Sequence, residues 1–310
     1  MTIHPRPYRD LSDLEKMRQI LIEGRQANNG TFYIHLGDLN WWLFYHDPGE
    51  PFSEQIALWE DGDRLSGWVL FTPSEETFDL FVHPSLRGTQ QAEEMHLWAE
   101  ARTIEKVKAR GGAVLRSMWT FETDMVRRRF LEECGYHLAD SEDRLAQMPY
   151  FVRPLTDPVA APLPSGFIVR PAAGERELEN RAAAQYGAFQ SKLEWGRYVD
   201  RFRRFMQSPG YAQAHDTVVV APDGRIAAFC IFWLDAVNTV GLFEPVGTHP
   251  DFQRQGLGRA LLTQCLRWMQ AERMTQANVL AEASNSAAIA LYQSCGFRIA
   301  NRMLTYTKEL

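Results

Sequence analysis

Two short apolar runs, Gln55-Ile56-Ala57-Leu58-Trp59 and Leu65 to Phe71, flank the turn dipeptide Asp61-Gly62 and read as a β-hairpin. A third apolar run, Phe78 to Val82, ends in His83-Pro84 and gives way to a helical pattern through Lys108. The succession then returns. Thr217 to Val220 and Ile226 to Trp233 flank Pro222-Asp223-Gly224, and Val240 to Thr248 runs into His249-Pro250 and a helix predicted from Leu257 to Arg273. Later still, Phe130-Leu131-Glu132-Glu133-Cys134-Gly135-Tyr136 is echoed by Leu291-Tyr292-Gln293-Ser294-Cys295-Gly296-Phe297. The shared order of elements, more than the shared dipeptides, makes duplication the better explanation.

Between the copies, Met148 to Gly166 holds prolines at 149, 154, 158, 162 and 164, which deny a regular element its backbone donors. The chain therefore divides into residues 1–152, a proline-rich semi-stiff linker 153–165, and residues 166–310. Each copy reads as an opening strand, one or two helices, a hairpin, a third strand, a helix, a strand, a helix and closing strands. Hairpins ahead of a crossover helix give a mixed sheet, so the class is α/β or α+β rather than a purely parallel sheet.

At 310 residues, with roughly 100–200 per domain, length agrees with two domains. Lys and Arg number 33 against 39 Asp and Glu, a net charge of -6 with no basic block, so neither a nucleic acid nor an anionic membrane is an expected partner. Four cysteines without a paired spacing argue against a disulfide or zinc framework and for a reducing compartment. The first residues lack the apolar run of a signal peptide, and no stretch approaches the ~20 apolar residues of a membrane span. A cytoplasmic location is expected.

Candidate chemistry gathers where the third strand of the second copy ends: Val246-Gly247-Thr248-His249-Pro250-Asp251-Phe252-Gln253-Arg254-Gln255-Gly256-Leu257-Gly258-Arg259. Glycines let backbone approach a ligand, and the unpaired amides of a helix start make an anion site suited to a pyrophosphate. Arg254 and Arg259 add charge beside it. A Rossmann fingerprint is missing, because Gly256-Leu257-Gly258 is followed by Leu261 rather than glycine, and no Gly-Lys-Ser/Thr follows as in a Walker A loop.

The second cluster, Asn285 through Phe297, decides between an ordinary turn and a binding loop. Here the sequence resembles the GNAT family of acyl-CoA-dependent N-acyltransferases. Gln253 to Gly258 resembles that family's Q/R-x-x-G-x-G/A loop, and Asn285 to Phe297 its N-x-x-A-x-x-L-Y-x-x-x-G-F segment. The resemblance covers Gly166 to Leu310, with a degraded copy before it, and this tandem layout is similar to that of the mycothiol synthases. It implies two tandem GNAT-like domains, each a mixed, mostly antiparallel sheet flanked by helices, and an acetyl-CoA cosubstrate without a metal. The loop residues Gln253, Arg254, Gln255, Gly256, Leu257, Gly258 and Arg259, with Asn285 and Tyr292, are the implied cosubstrate site. Val246, Gly247 and Thr248 lie where the family splays its sheet for the acetyl and pantetheine groups.

The resemblance further implies direct attack of an amine on the thioester, with Tyr292 protonating the leaving thiolate. On strand alternation Glu244, Val246 and Thr248 share one face, as does Leu242, where many family members carry a carboxylate. Glu244 is thus the candidate base, or else a strand-end charge. Taken alone, Asn285 reads as a helix cap, Gly296 as a C-cap glycine and Tyr292 as a packing residue; the upstream loop favours catalysis for Tyr292. Cys265 and Cys295 read as packed thiols, and His249, matched by His83, as structural. In the first copy Gln90 and Leu131 fall where Gly256 and Tyr292 stand, so that copy is expected to keep the fold without the chemistry. The aromatic run from Asn40 through Tyr45 to His46 belongs either to a surface between the copies, packed as a pseudo-dimer, or to the first copy's core. Acceptor identity is expected in Glu175 to Tyr211, whose arginines hint at an acidic acceptor but fit a solvated helix face better. The functional expectation is an acetyl-CoA-dependent N-acetyltransferase of a small amine; the alternative is a non-catalytic acyl-CoA sensor or assembly module.

Overall fold

The computed structural model describes residues 4–45, 50–62, 64–156 and 161–310, so His46 and residues 157–160 of the proline-rich stretch lie outside the described residues. In the first half, β1 (Arg6–Pro7) leads to α1 (Leu11–Ala27), α2 (Leu36–Phe44) and the single turn α3 (Phe52–Gln55). The hairpin follows as β2 (Ile56–Asp61) and β3 (Arg64–Thr72), then β4 (Thr77–Val82), α4 (Gln90–Ala109) and β5 (Val114–Phe121). α5 (Met125–Glu133), β6 (His137–Leu138) and β7 (Gln147–Pro154) close the half. The second half repeats the series with β8 (Ile168–Pro171), α6 (Leu178–Ala188), α7 (Trp195–Met206), β9 (Asp216–Val220), β10 (Ile226–Asp235) and β11 (Val240–Thr248). It ends with α8 (Leu257–Ala271), β12 (Gln276–Leu280), α9 (Ser286–Ser294) and β13 (Arg298–Glu309). The hairpin turns form where glycine was placed, Gly62 and Gly224 both adopting positive φ.

The strands join in one mixed α/β sheet in the order β1-β2-β3-β4-β5-β13-β7-β12-β11-β10-β9-β8, with β6 on β13. Pairing is antiparallel except for β4 with β5 and β11 with β12. The two closing strands are exchanged. β7, from the first half, pairs with β12 of the second, and β13, from the second half, pairs with β5 of the first. β7 and β13 also pair with each other at the centre.

Part of the proline-rich stretch is therefore a strand, against the expectation that its prolines exclude a regular element. Tyr150 opposite Leu280 is the last pair with β12, and the Pro149 carbonyl accepts from Ala281 N–H at 3.4 Å. N–H and C=O of a strand residue point the same way, so the donor Pro149 lacks would face the end of β12, where little pairing is lost. Pro154 ends the strand opposite Gln276.

The aromatic run divides between its two possible places. Trp41 and Tyr45 join Tyr198, Phe202, Phe205 and Trp233 of the second half, while Trp42 and Phe44 also pack on the first half's core. α7 presents Tyr198, Val199, Phe202 and Phe205 inward at helical spacing. α2 is pressed flat onto β10: a Cβ on Gly37 would lie 2.3 Å from the Trp233 ring.

Candidate active site

β11 and β12 pair over only three residues each, Val240 with Gln276, Gly241 with Ala277 and Leu242 with Asn278. Beyond Leu242 the strands part, and residues 243–248 face a cleft without ladder partners on that side. The same splay exists in the first half, where β4 meets β5 at Thr77 and Arg116 alone.

At the mouth of the cleft, α8 begins without a side-chain cap. Gly256 stands at its N-cap with φ 79°, and an added Cβ there would meet nothing within 4 Å. The first amide bonded into the helix is Ala260 N–H, to Gly256 O at 3.0 Å, so the preceding amides point outward unpaired. Arg254 and Arg259 are exposed and make no ion pair with a described residue, which fits them for an anion. Gln253 donates to Thr248 O at 3.3 Å, and Gln255 is exposed. Leu257 sends its side chain into the core at 1% exposure, leaving only its amide to the loop. Gly258 lies close under Leu291 and Thr248.

The first half differs at this point. Thr89 caps α4, its hydroxyl accepting from Ala92 N–H, so a side-chain oxygen already occupies the helix start. Leu131 is fully buried where the second half has Tyr292. His83 and His249 play the same part in both halves, each Nδ1 accepting from the amide two residues on, which is structural in both.

Asn285 caps α9, its Oδ1 accepting from Ala288 N–H at 3.0 Å. Two turns further along, Tyr292 packs edge-on against Phe151 of β7, with ring centroids 5.6 Å apart, and against Phe297. Its hydroxyl makes no hydrogen bond to a described residue. Burial raises its pKa, and Cys230, Cys295 and Glu244 push the same way, so it is a phenol at neutral pH. Cys265 and Cys295 are buried and packed, the Cys265 thiol lying 3.1 Å from Thr217 Oγ1.

Glu244 is where strand alternation fails. Cys230 pairs with Val246 but Phe232 with Phe243, so Ile231 alone opposes Glu244 and Pro245 in a β-bulge. Val246 and Phe243 pack with the core under α8, whereas Leu242 faces α6, α7 and α2. The bulge puts Glu244 on the Leu242 face and Val246 and Thr248 on the other, correcting the expectation that all share a face. There Glu244 meets Asp38 of α2. Burial and then the Asp38 charge push the Glu244 carboxyl well above its ordinary range, and burial raises Asp38 too. Two carboxyls in such contact hold a proton between them. Asp38 is fixed by accepting from His35 N–H at 2.7 Å, and His35 Nε2 lies 3.1 Å from Val240 O, tying α2 to β11.

Glu244 also lines a cavity of about 560 Å³ between the halves, with Trp41, Trp42, Trp119 and Asp79. Its described lining contains no residue of Glu175 to Tyr211, where acceptor contacts were expected. In that segment Arg181 is buried rather than solvated, pairing with Asp216 at 2.8 Å, and Arg201 stacks over Tyr45. Sequence reasoning missed Asp38 and Asp79, although a carboxylate inside Phe78-Asp79-Leu80-Phe81 was a signal that alternation could have caught.

Residues 183–297 match the acetyltransferase (GNAT) family. That stretch of the second half, similar to the GNAT acetyltransferases, spans β11, the loop at Gly256 and the helix capped by Asn285. It is 28% identical to a mycothiol acetyltransferase of Thermobispora bispora over 259 residues, 80% of this chain and 82% of that protein. A tandem GNAT protein from the clavulanic acid biosynthesis pathway superposes with a TM-score of 0.70 at 16% identity, over 99% of this chain and 98% of the other. A GCN5-related N-acetyltransferase from Sphaerobacter thermophilus gives 0.64 at 17% identity, over 99% and 96%. The tandem layout of the fold is shared with solved proteins.

Proposed function

We propose that the second half, residues 166–310, transfers an acetyl group from acetyl-CoA to a primary amine of a small molecule in the cytoplasm, while residues 1–152 form a half without transfer chemistry, joined through the linker 153–165. The observation that carries this reading is the asymmetry of the two helix starts. Only in the second half does an uncapped, glycine-led row of amides stand beside a tyrosine whose hydroxyl has no hydrogen-bond partner among the described residues. Acetyl-CoA supplies the activated acyl group. Loop amides with Arg254 and Arg259 hold its pyrophosphate, and the amides of Val246 and Thr248, which point away from β10, polarise the thioester carbonyl. As the amine nitrogen bonds to the carbonyl carbon, its proton passes to the Glu244–Asp38 pair; the C–S bond breaks and Tyr292 protonates the thiolate.

A screen of amines that follows CoA thiol release tests this. Tyr292→Phe should lower kcat about a hundredfold, within the range for loss of a general acid, and leave acetyl-CoA affinity unchanged. Leu131→Ala should lower thermal stability, by about 2–5 kcal/mol for a buried leucine, and leave kcat per folded molecule intact. Tight acetyl-CoA binding with no thiol release on any amine would instead make the chain a sensor.

A further inference from the structure

Asp79 sits in β4 of the half that lacks transfer chemistry, yet it lines the same cavity as Glu244. It is 6% exposed, makes no hydrogen bond or ion pair with any described residue, and its Oδ1 is buried without a partner. A buried carboxylate left this way is costly, so its natural complement is a donor that arrives from outside. The Oε2 of Glu244 is likewise buried without a partner. The other acidic groups are accounted for differently. Glu50 pairs with Lys106 and Arg110, which cancels the one cation on the cavity's described lining; Glu282 pairs with Arg144; and Glu75 is exposed at the rim.

Beside these two carboxyls the cavity's wall is aromatic. Trp42 and Trp119 lie 4.9 Å apart, centroid to centroid, and Trp119 holds a positive φ of 58° inside a strand. It sits in the bulge where β5 slips against β13, and its indole lines the cavity. Aromatic faces suit an alkyl chain and attract ammonium groups.

We propose that the acceptor is a linear diamine or polyamine: one amine reacts at Glu244, and Asp79 in the first half binds a second ammonium. This rests on the acetyl-transfer reading for the first amine only. The degenerate half then serves recognition, and its carboxylate reads the length of the chain between the amines. Burial pushes the Asp79 pKa up to about 7, with Arg127 opposing and Glu75 adding slightly. An arriving ammonium favours the ionised form, so binding below that pH should release a proton.

The test is calorimetry on the full chain with CoA present, comparing 1,3- to 1,6-diaminoalkanes and spermidine with alkyl monoamines of matched length. Diamines of one preferred length should bind at least about tenfold more tightly than their monoamines, as a charge-assisted buried contact implies. Proton release should grow as pH falls from 8 to 6. Asp79→Asn should erase both the diamine advantage and the proton release, with the monoamine on the same variant reporting that the cavity is still formed. Equal affinities for diamine and monoamine in the wild type, or equal losses of both in the variant, would overturn the proposal. Asp79-dependent diamine binding without thiol release from acetyl-CoA would sustain the site and sink the transfer reading instead.

Discussion

Glu244 shows how much one residue's surroundings decide. Its sequence neighbours place it on a strand end, but the bulge turns it onto the face where Asp38 waits, and the pair keeps a proton that a solvated glutamate would release. As a base it works only when ionised, so the wild-type rate should climb as pH rises through its raised pKa. Glu244→Gln removes that limb. Its rate should fall most near neutral pH and partly recover in alkaline buffer, where the amine arrives neutral. Stability moves the opposite way. A carboxyl whose folded pKa is raised binds a proton that the unfolded chain has lost, so its contribution is present below the ordinary carboxylate range and disappears as pH rises through the folded value. The Gln variant should therefore gain melting temperature relative to wild type at pH 8 and not at pH 4. A pH–rate profile superimposable on wild type, with KM unchanged, would leave Glu244 no role. A raised KM with kcat intact would make it a binding group.

At the scale of elements, the same strand–loop–helix unit occurs twice, and its first helical residues separate the copies. Thr89 closes one helix start with its own hydroxyl; Gly256 leaves the other open to solvent. Gly256→Glu should remove measurable CoA binding by calorimetry, because a carboxylate would stand where the pyrophosphate belongs. No described residue crowds that position, so the cost to folding is confined to a non-glycine residue at positive φ, about 1–2 kcal/mol. A variant that folds and still binds CoA as wild type would show that the loop does something else. These units were legible in the sequence because they are local. Glycine positions mark the turns, and the hairpins, α8 and the Asn285 cap follow from spacing within a few residues. Asp38, Trp119 and Phe151 were not legible, because each reaches the site only through pairing between distant strands or packing between halves. The bulge at Glu244 was hidden for a related reason: it is set by the register of β10 against β11, and no local pattern reports register.

At the scale of the molecule, the exchange of β7 and β13 makes each half incomplete without the other. Phe151 of β7 is fully buried in the second half's core against Tyr292, and Arg153 donates to the Cys295 carbonyl beside it. Leu304 and Tyr306 of β13 are buried in the first half's core with Leu115, Leu131 and Tyr136. Removing either strand opens a sheet edge and exposes several large side chains, each worth about 1.5–3 kcal/mol of burial. That approaches the whole stability of a domain, about 5–15 kcal/mol. A cut in the proline-rich stretch should thus behave differently from the simple removal of a spacer. Residues 1–156 and 161–310, expressed separately, should each lack a cooperative melting transition. Mixed or co-expressed, they should assemble one-to-one and recover near-ultraviolet dichroism, a single transition and thiol release. Should residues 161–310 alone melt cooperatively and turn over at the rate of the intact chain, β7 would be dispensable, and Phe151 would have no part in holding Tyr292.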